Sequence, residues 1–356
     1  MANRTSMDDI AKTLGISKNT VSLAMRGMPG LSADTREEVL RTARAMGYEY
    51  RKGGGASGHA PEKDDGARNA GRPLSRGICI LLPETSHDTQ GFFTGIQHGI
   101  EQEANRNHYH TFIHSYDEQD PAFTLPLCVR DGLVSGIISI GRVSSRTAEC
   151  LAMTGLPYVM ADHYLETGSF DSVLTDNIQA ADTATAYLID RGHTRIGFIG
   201  DVWATVCFRD RYTGFRNAMI RHGLSVDESI CVLREGMDSA VRESDQLGET
   251  DIAGIAALPT AFLCANDATA LILYRVLALM GISVPDQVSL FGFDDVSASS
   301  FITPGLTTMR VHKEWMGRKA FRRILEKLAD GDEVPQRILL SSVLVERESV
   351  CRLKQG

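Results

Sequence analysis

The 356-residue chain is 43% hydrophobic and 23% charged, the balance of a folded polypeptide with a substantial core, which excludes disordered and fibrous classes. At about 150 residues per domain, such a length predicts two to three domains. The net charge of −8 argues against a nucleic-acid partner, but residues 1–52 hold nine Lys/Arg against six Asp/Glu (+3), leaving 28 against 39 (−11) for the remainder. A basic head on an acidic body can direct the head to DNA while the body is repelled.

The first predicted element starts at Ser6, whose hydroxyl can cap Met7-Asp8-Asp9 with a carboxylate three residues on. Gly15 falls where this helix must end and the chain must turn. Ser17 caps a second helix and Ser32 a third, running from about Ala33 to Met46, with Gly27-Met28-Pro29-Gly30 between them. Val21, Ala24 and Met25 follow one another at helical spacing and can pack on Ile10, Leu14, Val39 and Leu40. The opposite face of the second helix carries Lys18, Asn19, Ser22, Leu23 and Arg26, and Ser6, Ser17 and Thr20 complete the polar set. Cationic and amide side chains crowded on a second helix are what a helix-turn-helix lays into the major groove. A three-helix bundle with a solvated polar face is the alternative, because the same turn is common in helical proteins.

Residues 51–75 form the next segment. Its stretch from 51 to 73 has no large apolar side chain and is rich in glycine, so a flexible linker is expected there. From Arg76 onward, short apolar runs alternate with helical patterns. Strands are expected at Ile78–Leu82, His110–His114, Gly136–Ile140 and Tyr158–Ala161, and then at Arg195–Gly200, Cys231–Leu233, Phe262–Ala265 and Val288–Phe293. Helices are expected at Phe92–Asn107, Ile178–Arg191, Tyr212–His222, Ala268–Met280 and Glu314–Leu328. Pro121 and Pro126 shorten or kink any helix between the second and third strands. Two such series predict an α/β body of doubly wound parallel sheets in two lobes.

Seven cysteines are scattered, with no Cys-x-x-Cys, so neither a disulfide framework nor a zinc site is expected. His108, His110 and His114 lack carboxylate or thiolate partners at ligand spacing, and no metal or other cofactor is expected. The start Met-Ala-Asn-Arg-Thr has no apolar signal core and no stretch reaches membrane-spanning length, which predicts a cytoplasmic chain. Walker, Gly-x-Ser-x-Gly and His-Glu-x-x-His patterns are absent, so an enzyme is not expected. An enzyme acting on a small sugar, with the head as its DNA-targeting module, is the rival reading.

Met7–Ala11, Gly15–Ser22, Ser32–Val39 and Gly47-Tyr48 resemble the DNA-binding headpiece of the lactose-repressor (LacI/GalR) family. The body is similar to that family's effector domain, itself related to periplasmic sugar-binding proteins, at Thr175-Asp176-Asn177, Arg191–Gly200, Arg211–Phe215, Cys264–Asp267, Gly292–Asp295, Pro304–Thr308 and Leu344–Ser349. The resemblance implies a head over 1–50, the linker over 51–75, and an effector-binding and dimerisation domain over 76–350. Lobe one is then about 76–172 plus 311–331, and lobe two about 173–310 plus 332–350. It further implies a homodimeric repressor on a palindromic double-stranded operator, modulated by a small polar effector such as a carbohydrate. Family members follow Gly-Tyr with a Pro-Asn pair and a hinge helix carrying a leucine. Here Glu49-Tyr50-Arg51 leads into glycines instead.

Open α/β sheets bind ligands beyond the carboxyl ends of their strands. Asp267 opens a helix after such a strand and could be its N-cap; it also matches the family position that grips the effector. Arg211 matches an effector-binding arginine, and Asp162, which ends a strand, matches another cleft position. Asp88, Phe93, Trp203, Phe293 and Asp294 sit at or near strand-end loops. Aromatics with carboxylates and a guanidinium suit a sugar, whose C–H face stacks while its hydroxyls need charged partners. For Asp294 a structural cap is the alternative.

Overall fold

The computed structural model describes residues 7–16, 20, 21, 24, 33–46, 76–84, 91–117, 123–236, 249–330 and 334–353. The chain divides into two compact units, Met1–Ala70 and Gly71–Gly356. No helix among the described residues is long and apolar enough to cross a membrane.

In the head, α1 (Met7–Leu14) ends at Gly15, which takes the left-handed φ of 65° that the turn requires. The amide of Ile16 donates back to the Ala11 carbonyl at 3.1 Å, satisfying part of the open helix end. Helix α2 spans Ala33–Ala45, and Thr20, Val21 and Ala24 between them are helical. Ile10, Ala11, Val21, Ala24, Val39 and Ala43 form the head's core, with Leu14, Ile16 and Met46 packed against it. Val21 and Ala24 therefore face inward, as their spacing predicts. Leu40 is only half-buried, and Ala43, one turn beyond Val39, takes the inner position instead. Met25 lies outside the described residues, as does the linker expected over 51–75.

The body is two six-stranded sheets. The strands of lobe one are β1 (Gly77–Pro83), β2 (His110–Tyr116), β3 (Gly136–Ile140), β4 (Tyr158–Ala161), β5 (Asp171–Thr175) and β11 (Arg337–Leu340), in the order β11-β5-β4-β3-β1-β2. Those of lobe two are β6 (Ile196–Gly200), β7 (Val232–Leu233), β8 (Ala261–Cys264), β9 (Ser289–Asp294), β10 (Thr307–Arg310) and β12 (Val343–Val345), in the order β12-β10-β9-β8-β6-β7. All pairings are parallel except β10 with β12. Helices α3 (Phe92–Arg106), α4 (Leu127–Arg130), α5 (Ser145–Ala152) and α10 (Lys313–Asp330) accompany the first sheet. Helices α6 (Asn177–Asp190), α7 (Val206–Arg221), α8 (Glu249–Ala253) and α9 (Asp267–Leu279) accompany the second. The four-residue α4, starting just after Pro126, is the short helix that the prolines predict.

Two boundaries differ from the expectation. β5 pairs with β4 and β11, so the first sheet runs through Thr175 beyond the expected limit at 172, and it recovers 337–340 beyond the expected limit at 331. The cause is a buried ion cluster. The Asp171 carboxylate accepts from Arg323 Nε at 2.6 Å, Lys327 Nζ at 2.7 Å and the Gln336 amide at 3.0 Å, tying β5 to α10 and to the entry of β11. A segment beginning with aspartate and serine lacks the apolar run of a buried strand, yet all five of its residues are buried because its charge is matched. The chain thus crosses between lobes after β5, between β10 and α10, and between β11 and β12.

Candidate functional site

The carboxyl end of β9 and helix α7, both of lobe two, meet the carboxyl end of β4 from lobe one. Arg211, one turn inside α7, is only 2% exposed, and its guanidinium is fixed on every side. Its Nε donates to Asn177 Oδ1 at 2.8 Å, Nη1 donates to the Ala265 carbonyl at 2.6 Å, and Nη2 lies 3.2 Å from Asp294 Oδ1. The Phe293 ring lies under it, with its centroid 3.7 Å from Cζ. Phe293 is fully buried, so it is the floor beneath the arginine and not an open stacking face.

Asp162 and Asp294 flank this arginine. Burial pushes Asp162 up to about 6 against the attraction of Arg211. Burial pushes Asp294 up to about 7, against Arg211 and Lys313 and with the charges of Asp267 and Asp162 adding to the rise. Asp294 Oδ1 is buried and has no hydrogen-bond donor among the described residues, its contact with Arg211 being an ion pair outside hydrogen-bond geometry. Asp162, Asp294 and Asp295 all have left-handed φ values, of 60°, 117° and 49°. Such backbones cost about 1–3 kcal/mol each outside glycine and persist where surrounding structure holds them. Lys313 helps to hold the last two, donating to the carbonyls of Asp294 at 2.7 Å and Asp295 at 3.2 Å. Phe92 and Phe93, packed edge to face at 5.4 Å, stand at the start of α3, with Phe92 5.7 Å from Lys313 Nζ and Phe93 against Gly141.

Asp267 is the principal correction. The N-cap of α9 is Asn266, whose side chain accepts from the Thr269 amide at 2.8 Å, so Asp267 is not the cap. Nor is its carboxylate available to a ligand. Fully buried, it accepts from Thr308 Oγ1 at 2.6 Å, Ser299 Oγ at 2.7 Å and the Val296 amide at 2.9 Å. It stitches α9 to the end of the second sheet, and the open carboxylate oxygen belongs to Asp294. Asp295 is likewise engaged, by Arg347 and Arg310 at 2.6 Å each.

Trp203 is 59% exposed and lines a pocket of about 230 Å³ with Arg142 and His163 from lobe one and Arg209 from lobe two. The lobes touch here: Arg142 Nη1 donates to the Ala204 carbonyl at 3.3 Å, Cys207 Sγ to the Asp162 carbonyl at 3.4 Å, and Tyr164 Oη to Asp210 Oδ1 at 3.1 Å. Arg142, His163, Cys207 and Lys313 were not singled out from the sequence. His163 and Cys207 could have been, standing one residue after Asp162 and four before Arg211. Asp88 lies outside the described residues. So do Ser6, Ser17, Lys18, Asn19, Ser22, Leu23 and Arg26 of the expected DNA face; Thr20 is helical and half-buried.

The chain matches the description "Bacterial regulatory proteins, lacI family" over residues 6–49 and "Periplasmic binding protein-like domain" over residues 185–350. It is 27% identical to the HTH-type transcriptional repressor PurR of Vibrio cholerae serotype O1, across 97% of this chain and 98% of the relative. The structure of a LacI family transcriptional regulator from Enterococcus faecium with bound ribose superimposes with a TM-score of 0.66 at 25% identity, over 78% of this chain and all of that one (100%). The lac repressor dimer bound to operator and the anti-inducer ONPF shares the fold, with a TM-score of 0.63 at 21% identity over 98% of this chain and 100% of that one. With a lacI-family match on its head, a periplasmic-binding-protein-like match on its two-lobed body and similarity to a transcriptional repressor over 97% of its length, the chain has the architecture of a DNA-binding transcription regulator of the lacI type.

Proposed function

We propose that the protein is a cytoplasmic, homodimeric repressor whose two heads occupy the half-sites of a palindromic operator, and whose operator affinity is set by a small polyhydroxylated effector at Arg211, Asp294 and Asp162. The observation that carries the effector reading is Asp294 Oδ1, a buried carboxylate oxygen at the lobe junction that lacks a hydrogen-bond donor among the described residues. A sugar hydroxyl supplies that donor, and the guanidinium beside it supplies a donor to the next hydroxyl, the alternation that vicinal diols present. The bound ribose of the Enterococcus faecium regulator and the operator-bound lac repressor dimer support the carbohydrate and dimer assignments by likeness. An enzymatic role has no such support, because Arg211 is held in place by Asn177, the Ala265 carbonyl and Asp294.

Calorimetry of the full chain against ribose, glucose, cellobiose and their phosphates tests this. Asp294→Asn removes a charged acceptor worth about 1.5–3 kcal/mol, so the sugar that binds should lose roughly 10- to 100-fold in affinity. A bound sugar indifferent to Asp294→Asn would remove the proposed site.

A further inference from the structure

Two of the seven cysteines meet on the face of the first sheet that α4 and α5 cover. β1 alternates its side chains: Ile78 and Ile80 enter the cluster shared with α3 and α10, while Cys79 and Leu81 join Val129 of α4 and Ala148 and Leu151 of α5. Cys128, in the first turn of α4, packs against this second cluster, and a hydrogen bond between the two thiols joins it to Cys79. The backbone fixes the same approach. A Cβ on Gly77, on the Cys79 side of the strand, would strike the Leu133 carbonyl oxygen, and the Leu133 amide donates to the Cys128 carbonyl at 2.9 Å. We infer that Cys79 and Cys128 form an oxidant-sensitive dithiol, which a peroxide converts reversibly into an intrachain disulfide tying β1 to α4.

The pair has an outer and an inner member. Cys128 is half-buried beside the exposed Leu127, whereas Cys79 is fully buried in the strand. Burial pushes the Cys79 thiol up and Cys128 adds to the rise, so Cys79 alone is a poor nucleophile. The peroxide therefore meets Cys128 first. The Cys128 sulfur attacks one peroxide oxygen, the O–O bond breaks, and a sulfenic acid forms with release of water. The Cys79 sulfur then attacks the Cys128 sulfur, gives up its proton, and expels the sulfenic hydroxyl as a second water. Contact favours this second step, because it is intramolecular. In sum, two thiols and one hydrogen peroxide give one disulfide and two waters, and the two electrons come from sulfur. A reducing dithiol reverses the change by thiol–disulfide exchange.

β1 is held in place by hydrogen bonds to β2 on one side and β3 on the other. α4 is the partner that can adjust, because a four-residue helix has little stability of its own. Other thiols are directed elsewhere: Cys207, Cys231 and Cys351 donate to the carbonyls of Asp162 at 3.4 Å, Asp227 at 3.6 Å and Pro285 at 3.3 Å. The pair is invisible to a Cys-x-x-Cys search, since the whole of α3 and β2 lies between its members. In a reducing compartment such a disulfide is a transient, oxidant-dependent state, as a redox-sensing role requires.

Trypsin places the two cysteines in adjacent peptides, 77–106 and 107–130, each with a single cysteine. Full-length protein is reduced, freed of reductant, treated with hydrogen peroxide, alkylated with iodoacetamide under denaturing conditions, digested and weighed by mass spectrometry. The expected result is loss of both alkylated peptides in favour of one linked pair, lighter by two hydrogens than the free peptides together and separated again by dithiothreitol. Cys128→Ser, at a half-buried position, should leave Cys79 open to alkylation after the same treatment, because the buried thiol reacts only through its neighbour. Both peptides recovered alkylated and unlinked after peroxide would overturn the inference. So would Cys128 oxidised to the sulfinic acid without a link, or Cys79 oxidised as readily in Cys128→Ser as in the parent.

Discussion

Asp294 and Asp267 are both aspartates at strand ends of lobe two, and their side chains have opposite uses. Replacing Asp267 with alanine leaves three buried donors, from Val296, Ser299 and Thr308, without an acceptor. Each such orphan costs about 1–3 kcal/mol, so Asp267→Ala should lower stability by several kcal/mol, read as a large drop in denaturant midpoint. A near-neutral Asp267→Ala would contradict the structural role. Asp294 instead makes a pH-dependent contribution. Its folded-state value of about 7 lies well above the ordinary aspartate value near 4, so between these pH values the native state holds more protons than the unfolded chain. Its contribution to stability is therefore present at low pH and is lost as pH rises toward and through 7. Asp162, at about 6, acts in the same sense, whereas His163, pushed down to about 4 by burial, acts in the opposite sense below its ordinary value. Comparison with Asp294→Asn isolates the one term: melting temperatures measured from pH 5 to pH 8 should move in the variant's favour as pH rises. A pH-independent difference would contradict the raised value. That both aspartates stand at strand ends was legible in the sequence; which one is saturated was not, because the donors lie 29 to 41 residues farther along the chain.

At the scale of elements, apolar strands and amphipathic helices were legible from their periodicity, and the inward face of the head's second helix came out at Val21 and Ala24. Elements held by charge were not legible, as β5 illustrates: Asp171-Ser172-Val173-Leu174-Thr175 is buried through Arg323 and Lys327, which are about 150 residues away. The start of α7 was also misplaced, at Tyr212 and not at Val206, because Thr205 caps it with a hydroxyl bond to the Cys207 amide at 2.9 Å before any apolar stripe begins. The crossing of α3 and α10 relies on two glycines. A Cβ on Gly317 would collide with the Ile96 carbonyl oxygen, and one on Gly99 with that of Glu314. Helix propensity alone makes Gly317→Ala stabilising by about 1 kcal/mol. Backbone contact reverses the sign, and a destabilisation of about 1–3 kcal/mol is expected from overpacking, measured by chemical denaturation. A stabilised Gly317→Ala protein would show that the helices are not in backbone contact.

For the whole molecule, the proposed function gives the operator to the basic head and the effector to the acidic two-lobed body, whose three crossings would let a ligand bound between the lobes bias one lobe against the other. Asn19, which spacing puts on the outer face of the head's second helix, is proposed to contact the operator. Asn19→Ala should cost about 1–3 kcal/mol and relax base preference at one operator position, as read by selection from a random DNA pool. The central claim is that the Arg211–Asp294 site controls the operator through an effector. It is tested most directly by measuring affinity for the selected operator with and without the sugar or sugar phosphate found by calorimetry, in the parent and in Asp294→Asn. The account predicts equal operator affinity for both proteins without effector, and an effector-dependent change at a fixed effector concentration that is present in the parent and abolished in the variant. An operator affinity that responds equally to the effector in both proteins would contradict it.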